Sequence, residues 1–191
     1  MPPVIQIYKA LFGARTIRLD PDALQQESEL IRGPNIDFFD ERGLGLPAVY
    51  DALASQDTEE YVKLIKQVKK LFPSIKKLQL IGMSKSTKAI NVELVTGERI
   101  APQHLSTGLL YYLAYAAIPY LHPCAVLLIE EPENGLHPAR IAEVMGILRE
   151  VSKTTQVLIA SHSPLVVNEL QPEEVSVVTR EPEEGTRVTP L

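Results

Sequence analysis

The sequence predicts an α/β fold: a mostly parallel sheet flanked by helices, with a β-hairpin and helical insertion. Three observations carry this. A short continuous apolar run, 125–129, and a second run, 156–160, apolar after Gln156, have the length and composition of buried parallel strands. An amphipathic helix lies between them over 138–151, with Ile141, Val144, Leu148 and Val151 in line and Pro138 suited to its first turn. A third run, 175–179, follows a short helix at 163–170, so strands and helices alternate as in parallel α/β proteins.

The first half supplies the remaining elements. Residues 16–19 predict a short strand, and Asp20-Pro21-Asp22 a turn and cap before a helix over 23–31. Gly33-Pro34-Asn35 and Gly43-Leu44-Gly45 punctuate loops. A short helix over 47–54 precedes the capping residues 57–60. In the helix that follows, Tyr61, Leu64, Ile65, Val68, Leu71 and Phe72 share one face, and Pro73 ends it. Residues 77–83 and 90–95 predict a hairpin joined by 84–88, with Ile90, Val92 and Leu94 facing opposite Asn91 and Glu93. Residues 109–118 read as a helix apolar nearly all round, and therefore buried.

Composition narrows the classes. A chain of 191 residues holds one domain, or one and a part. The expected division is a helical and hairpin region over 1–100, a core over 101–180 and an acidic tail over 181–191. A net charge of −5 argues against a generalised nucleic-acid coat. Even so, residues 61–88 carry eight lysines and no acid, which is either a solvated helix face or a surface for nucleic acid, from Lys63 to Lys88. The lone Cys124 excludes an internal disulfide and fits the reducing cytoplasm. No basic leader precedes a long apolar run at the N-terminus, so no secretory signal is expected. The 22 uncharged residues 108–129 could span a bilayer by length alone, but Pro119, His122, Pro123 and four tyrosines interrupt them. No membrane segment is expected.

The stretch LLIEEPENGLHP, residues 127–138, ends an apolar strand on two adjacent glutamates. Side chains alternate along a strand, so Glu130 and Glu131 point different ways. One can stand near a hard cation such as Mg²⁺ while the other orients and polarises a water. Ser161-His162 ends the neighbouring strand, and together these residues mark the carboxyl edge where such sheets bind ligands.

Residues 127–138 are similar to the Walker B segment and D-loop of ABC-type ATPases, in the SMC- and RecF-like branch that includes the broad AAA group. LIASHSP, 158–164, resembles the H-loop, and HLSTGLL, 104–110, resembles the ABC signature. The likeness covers about 101–180 and lies in the joint order of the motifs. It implies a P-loop NTPase (ABC ATPase-like) fold that binds and hydrolyses ATP with Mg²⁺. Carried over, Glu130 helps hold the metal, Glu131 activates the attacking water and His162 senses the terminal phosphate. The family's first acid is usually Asp, so Glu130 is a longer-armed departure. Ser106, Thr107 and Gly108 open a helix, where amides and dipole favour an anion. In the family this signature meets the γ-phosphate held by the other subunit. With Asn134 of the D-loop, it implies a head-to-tail homodimer around ATP.

One part is missing. No G-x-x-x-x-G-K-[ST] loop occurs; IGMSKST, 81–87, has no glycine before Lys85 and falls in the expected hairpin. The expectation is the C-terminal portion of a longer ATPase whose P-loop lobe lies elsewhere, inactive alone for lack of a phosphate cradle. Two alternatives compete. One is a non-hydrolysing regulatory module of the same fold. The other is a metal-dependent nuclease using Glu130, Glu131, Glu133, His137 and His162, against which His137 reads as a helix cap. His104 and His122 read as structural. Relatives of this type act in DNA repair, chromosome organisation and phage defence, often with a nuclease partner.

Overall fold

The structure, a computed structural model, describes residues 4, 13–31, 33, 35–37, 39–181 and 185–191. Strand β1 (Ala14–Ile17) begins two residues before the expected run. Asp20 then caps helix α1 (Pro21–Leu24), its Oδ1 accepting from the Asp22 amide at 2.9 Å. The helix expected over 23–31 ends there, a correction with a tertiary cause. Ser28 is buried and its Oγ accepts from the Ala48 amide at 2.8 Å, so strand β2 (Ser28–Glu29) is drawn into a sheet. Pairing overrides a weak local helical pattern.

Gly43 and Gly45, at φ of +98° and +107°, turn the chain into helix α2 (Leu46–Gln56). Pro34 lies outside the described residues. Asp57 accepts from the Glu60 amide at 3.1 Å and opens helix α3 (Thr58–Leu71), which buries Leu64 and Val68 and turns its lysines outward. Strands β3 (Ile75–Gly82) and β4 (Thr87–Leu94) form the expected antiparallel hairpin. β2 and the short β5 (Arg99–Ile100) add to the other side of β4, giving the order β2-β4-β3 with β5 off that path. Both faces of β4 are enclosed: Asn91 and Glu93 are buried beside Ile90 and Val92, and Glu93 takes Lys76 as ion-pair partner at 2.7 Å.

Helix α4 (Thr107–Ala117) is buried from Leu109 onward. A 3₁₀ turn at Ile118–Tyr120 breaks the uncharged stretch before strand β6 (Val126–Glu130). Among the described residues no helix is long and apolar enough to cross a membrane. Helix α5 (Pro138–Val151) and strand β7 (Gln156–Ala160) follow at the expected positions. Among the described residues β7 is an edge strand with no buried residue, a correction to the buried strand expected there. Helix α6 (Pro164–Val167) is shorter than the expected 163–170.

β1, β6 and β7 form the parallel sheet with β6 in the centre, aligning Ile17 with Ile129 and Ile129 with Ile159. The strand expected over 175–179 does not extend it. Instead β8 (Ser176–Glu181) pairs antiparallel with β9 (Gly185–Pro190), and every residue of both is exposed. A five-residue strand pattern does not encode its partner, and here the nearest partner in sequence wins. Within the expected acidic tail, Gly185–Pro190 is the hairpin's second strand.

The sheet's two faces differ. Ile17, Leu127 and Ile129 share one buried cluster with Leu110 and Leu113 of α4 and Ile141, Val144 and Leu148 of α5. On the opposite face Thr16 is exposed, Leu128 half-buried and Leu158 49% exposed. Parallel sheets ordinarily bury both faces, and among the described residues this face has little cover.

Candidate active site

β6 and β7 run side by side and end together, with Glu130 aligned on Ala160. The ladder goes one step further: the Glu131 amide donates to the Ala160 carbonyl at 2.8 Å. At that point the backbone reverses. Glu131 has φ of +48°, the only non-glycine at positive φ among the described residues. For a side chain with a Cβ this costs about 1–2 kcal/mol. The Asn134 amide, donating to the Glu131 carbonyl at 3.0 Å, holds the turn closed.

The reversal separates the two carboxylates. Glu130 stays on the open face, its Oε2 3.5 Å from Arg18 Nε. Glu131 swings toward the end of β7, where its Oε1 meets His162 Nδ1 at 2.7 Å. The imidazole is otherwise in solvent, 86% exposed, whereas Glu131 is 24% exposed. The Glu131 carboxylate, by hydrogen bond and then by charge, holds His162 above the ordinary imidazole value of 6.5. With Nδ1 engaged on Glu131, the rest of the ring is left on the exposed side, where an anion could be met.

Glu133 braces the same loop, accepting from Ser161 Oγ at 2.5 Å, and Ser161 Oγ accepts from the Ser163 amide at 3.0 Å. Ser163 in turn caps α6. Sequence reasoning gave Glu133 and Ser161 no such role, and did not foresee Arg18 beside Glu130. The only early signal for the brace was that polar Ser161 and Ser163 flank the histidine.

The signature-like residues lie at the start of α4. Ser106 Oγ accepts from the Leu109 amide at 3.4 Å. A Cβ on Gly108 would stand 3.2 Å from the Gly135 carbonyl oxygen, and one on Gly135 would stand 2.7 Å from Thr107 Cγ2. Ser106, Thr107 and Gly108 therefore form one surface with the turn that carries exposed Asn134. His137 joins neither group: its Nδ1 accepts from the Ala139 amide at 3.2 Å and caps α5. Glu131, Glu133 and His162 converge, while Glu130 faces Arg18, so the five-residue nuclease set is not gathered in one place.

Residues 10–168 match the family described as "AAA domain, putative AbiEii toxin, Type IV TA system". The chain belongs to this family. The AAA domain also shares its fold with solved SMC head ATPase structures. One is the Smc head bound to the C-winged helix domain of ScpA, at a TM-score of 0.60 and 15% identity, covering 94% of this chain and 55% of that one. Another is the Smc head domain with an extended coiled coil bound to the C-terminal domain of ScpA, from Pyrococcus furiosus, at a TM-score of 0.57 and 15% identity. It covers 74% of this chain and 37% of that one. The AAA domain thus spans about a third to a half of those chains. No curated protein sequence matches it.

Proposed function

We propose that this AAA domain is the Walker B, signature and H-loop part of an ATPase that binds and hydrolyses ATP with Mg²⁺ in a head-to-tail dimer. One observation carries the reading: Glu131 and His162, from the tips of adjacent parallel strands, meet at 2.7 Å. Glu131 is the general base for the attacking water. His162, tethered through Nδ1, turns its remaining nitrogen to the terminal phosphate. Glu130, exposed and only loosely held by Arg18, is open to a hydrated Mg²⁺, which supplies charge neutralisation at the phosphates. Ser106, Thr107, Gly108 and Asn134 face the nucleotide of the second subunit.

The phosphate cradle comes from a P-loop lobe outside this chain's motifs. The sheet face around Thr16, Leu128 and Leu158, open among the described residues, supports that, since a parallel sheet ordinarily packs on both faces. In the complete enzyme, Glu131→Gln abolishes hydrolysis while ATP-driven association persists. Unchanged turnover removes Glu131 from the base role. The 191-residue chain alone turns over ATP negligibly, and steady turnover abolished by Glu131→Gln would refute the requirement for the lobe.

The cellular task we propose, DNA repair or phage defence in the cytoplasm, follows the tendencies of the family it resembles, and the lysine surface is the local hint of nucleic acid. Lys63, Lys76 and Lys88 are paired with acids, but Lys66, Lys69 and Lys70 stand exposed on α3 with no ion pair among the described residues. DNA binding should weaken steeply with salt and with these three lysines removed. Salt-insensitive or absent binding discards the DNA reading.

A further inference from the structure

Glu131 and Glu133 flank Pro132 after β6, and His162 follows β7. One ligand atom from each lies within 4.8 Å of the other two. Each carboxylate uses only one oxygen: Glu131 Oε1 on His162, Glu133 Oε1 on Ser161. Their second oxygens, Glu131 Oε2 and Glu133 Oε2, are shut off from solvent and have no hydrogen-bond partner among the described residues. A buried carboxylate oxygen left unpaired costs free energy, and two in one pocket repel each other as well. A cation between them relieves both.

We propose that Glu131, Glu133 and His162 form a divalent-cation site, separate from the Mg²⁺ position at Glu130, that takes Zn²⁺ or Mn²⁺ in preference to Mg²⁺. The donors decide the class. An imidazole with two carboxylates suits metals of intermediate hardness, whereas Mg²⁺ keeps oxygen ligands and water. Donors about 2.0–2.2 Å from a metal stand roughly 3–3.5 Å apart, so the trio must draw in by up to about 1.5 Å at its widest. His162 supplies that movement, being 86% exposed. Ser161 already orients Glu133, as an outer hydrogen bond orients a metal-binding carboxylate. Water completes the shell.

The site shares Glu131 and His162 with the proposed ATPase machinery, so it is tested on the nucleotide-free 191-residue chain, where metal binding is read without hydrolysis. Co²⁺, as a spectroscopic probe, should bind one equivalent with ligand-field bands, be displaced by Zn²⁺, and resist excess Mg²⁺. Glu133→Gln and His162→Ala should each weaken binding at least about tenfold, while His104→Ala leaves it unchanged. Zn²⁺ should also raise the melting temperature of the native chain but not of His162→Ala, a readout that survives if Glu133→Gln folds poorly. Absence of a bound equivalent, displacement by Mg²⁺, or binding that survives both substitutions overturns the proposal. The same holds if Glu133→Gln stabilises the metal-free chain and no metal binds, because a shared proton then satisfies the two oxygens.

Discussion

Gly108 and Gly135 touch across two motifs: a Cβ on the first would come within 3.2 Å of the carbonyl oxygen of the second. This contact fastens the turn after β6 to the start of α4. The two glycines are not equivalent. Gly108 is helical, so alanine there gains helix propensity of about 1 kcal/mol that offsets a slightly tight contact. Gly135 has φ of +70°, and its Cβ would meet Thr107 Cγ2 at 2.7 Å and Tyr111 Cε2 at 2.9 Å. We expect Gly135→Ala to destabilise by about 1–3 kcal/mol and Gly108→Ala by clearly less. Urea unfolding of both variants checks the order, and equal losses would contradict it.

The left-handed backbone at Glu131 gives a second prediction. The side chain is needed where it is, yet the conformation suits glycine. Glu131→Gly should therefore be more stable than Glu131→Ala by about 1 kcal/mol, although both lose the His162 contact. Chemical denaturation separates them. Equal stabilities would mean that the turn relaxes once the carboxylate is gone.

Much of this arrangement was legible in the sequence because local pattern and tertiary environment agree. The 138–151 periodicity and the 125–129 run each have one way to bury themselves, and the α5, β6 and β7 boundaries follow closely, although β7 stays at the sheet's edge with no residue buried. Glu130 and Glu131 diverge as alternation along a strand led one to expect, but the cause is the backbone reversal at Glu131, just past the end of β6. The failures share a cause: β2, β5 and the β8-β9 pairing are set by partners distant in the chain or by turns, and two-residue strands carry no period to read. Glu133 was invisible as a brace because its partner, Ser161, comes 28 residues later.

The Glu131–His162 contact predicts a pH dependence. The imidazole is held above its ordinary value of 6.5. Its contact with Glu131 therefore contributes fully below pH 6.5 and is lost as pH rises through the higher native value. Imidazole proton shifts in NMR should show His162 titrating above 6.5, and in Glu131→Gln moving back toward it. A native value at or below 6.5 would mean that the carboxylate does not hold the ring in solution.

Arg149 and Glu174 set the opposite sign at the base of the β8-β9 hairpin. Arg149 donates to both carboxylate oxygens, at 2.8 and 3.1 Å, and to the Glu169 carbonyl at 3.0 Å. With the Gln171 amide also donating to Glu174, the carboxyl is pulled down from 4.5 to about 2. This pairing is fully present above pH 4.5 and is lost as pH falls toward about 2. Because β8 and β9 are exposed throughout, little else ties the hairpin's first strand to α5. Arg149→Ala should return the Glu174 titration toward 4.5 and raise amide exchange in β8 and β9 at neutral pH, leaving β6 and β7 protected. Carboxyl carbon shifts and hydrogen exchange read the two effects. A native Glu174 titrating near 4.5 would show the guanidinium is not clamped on it.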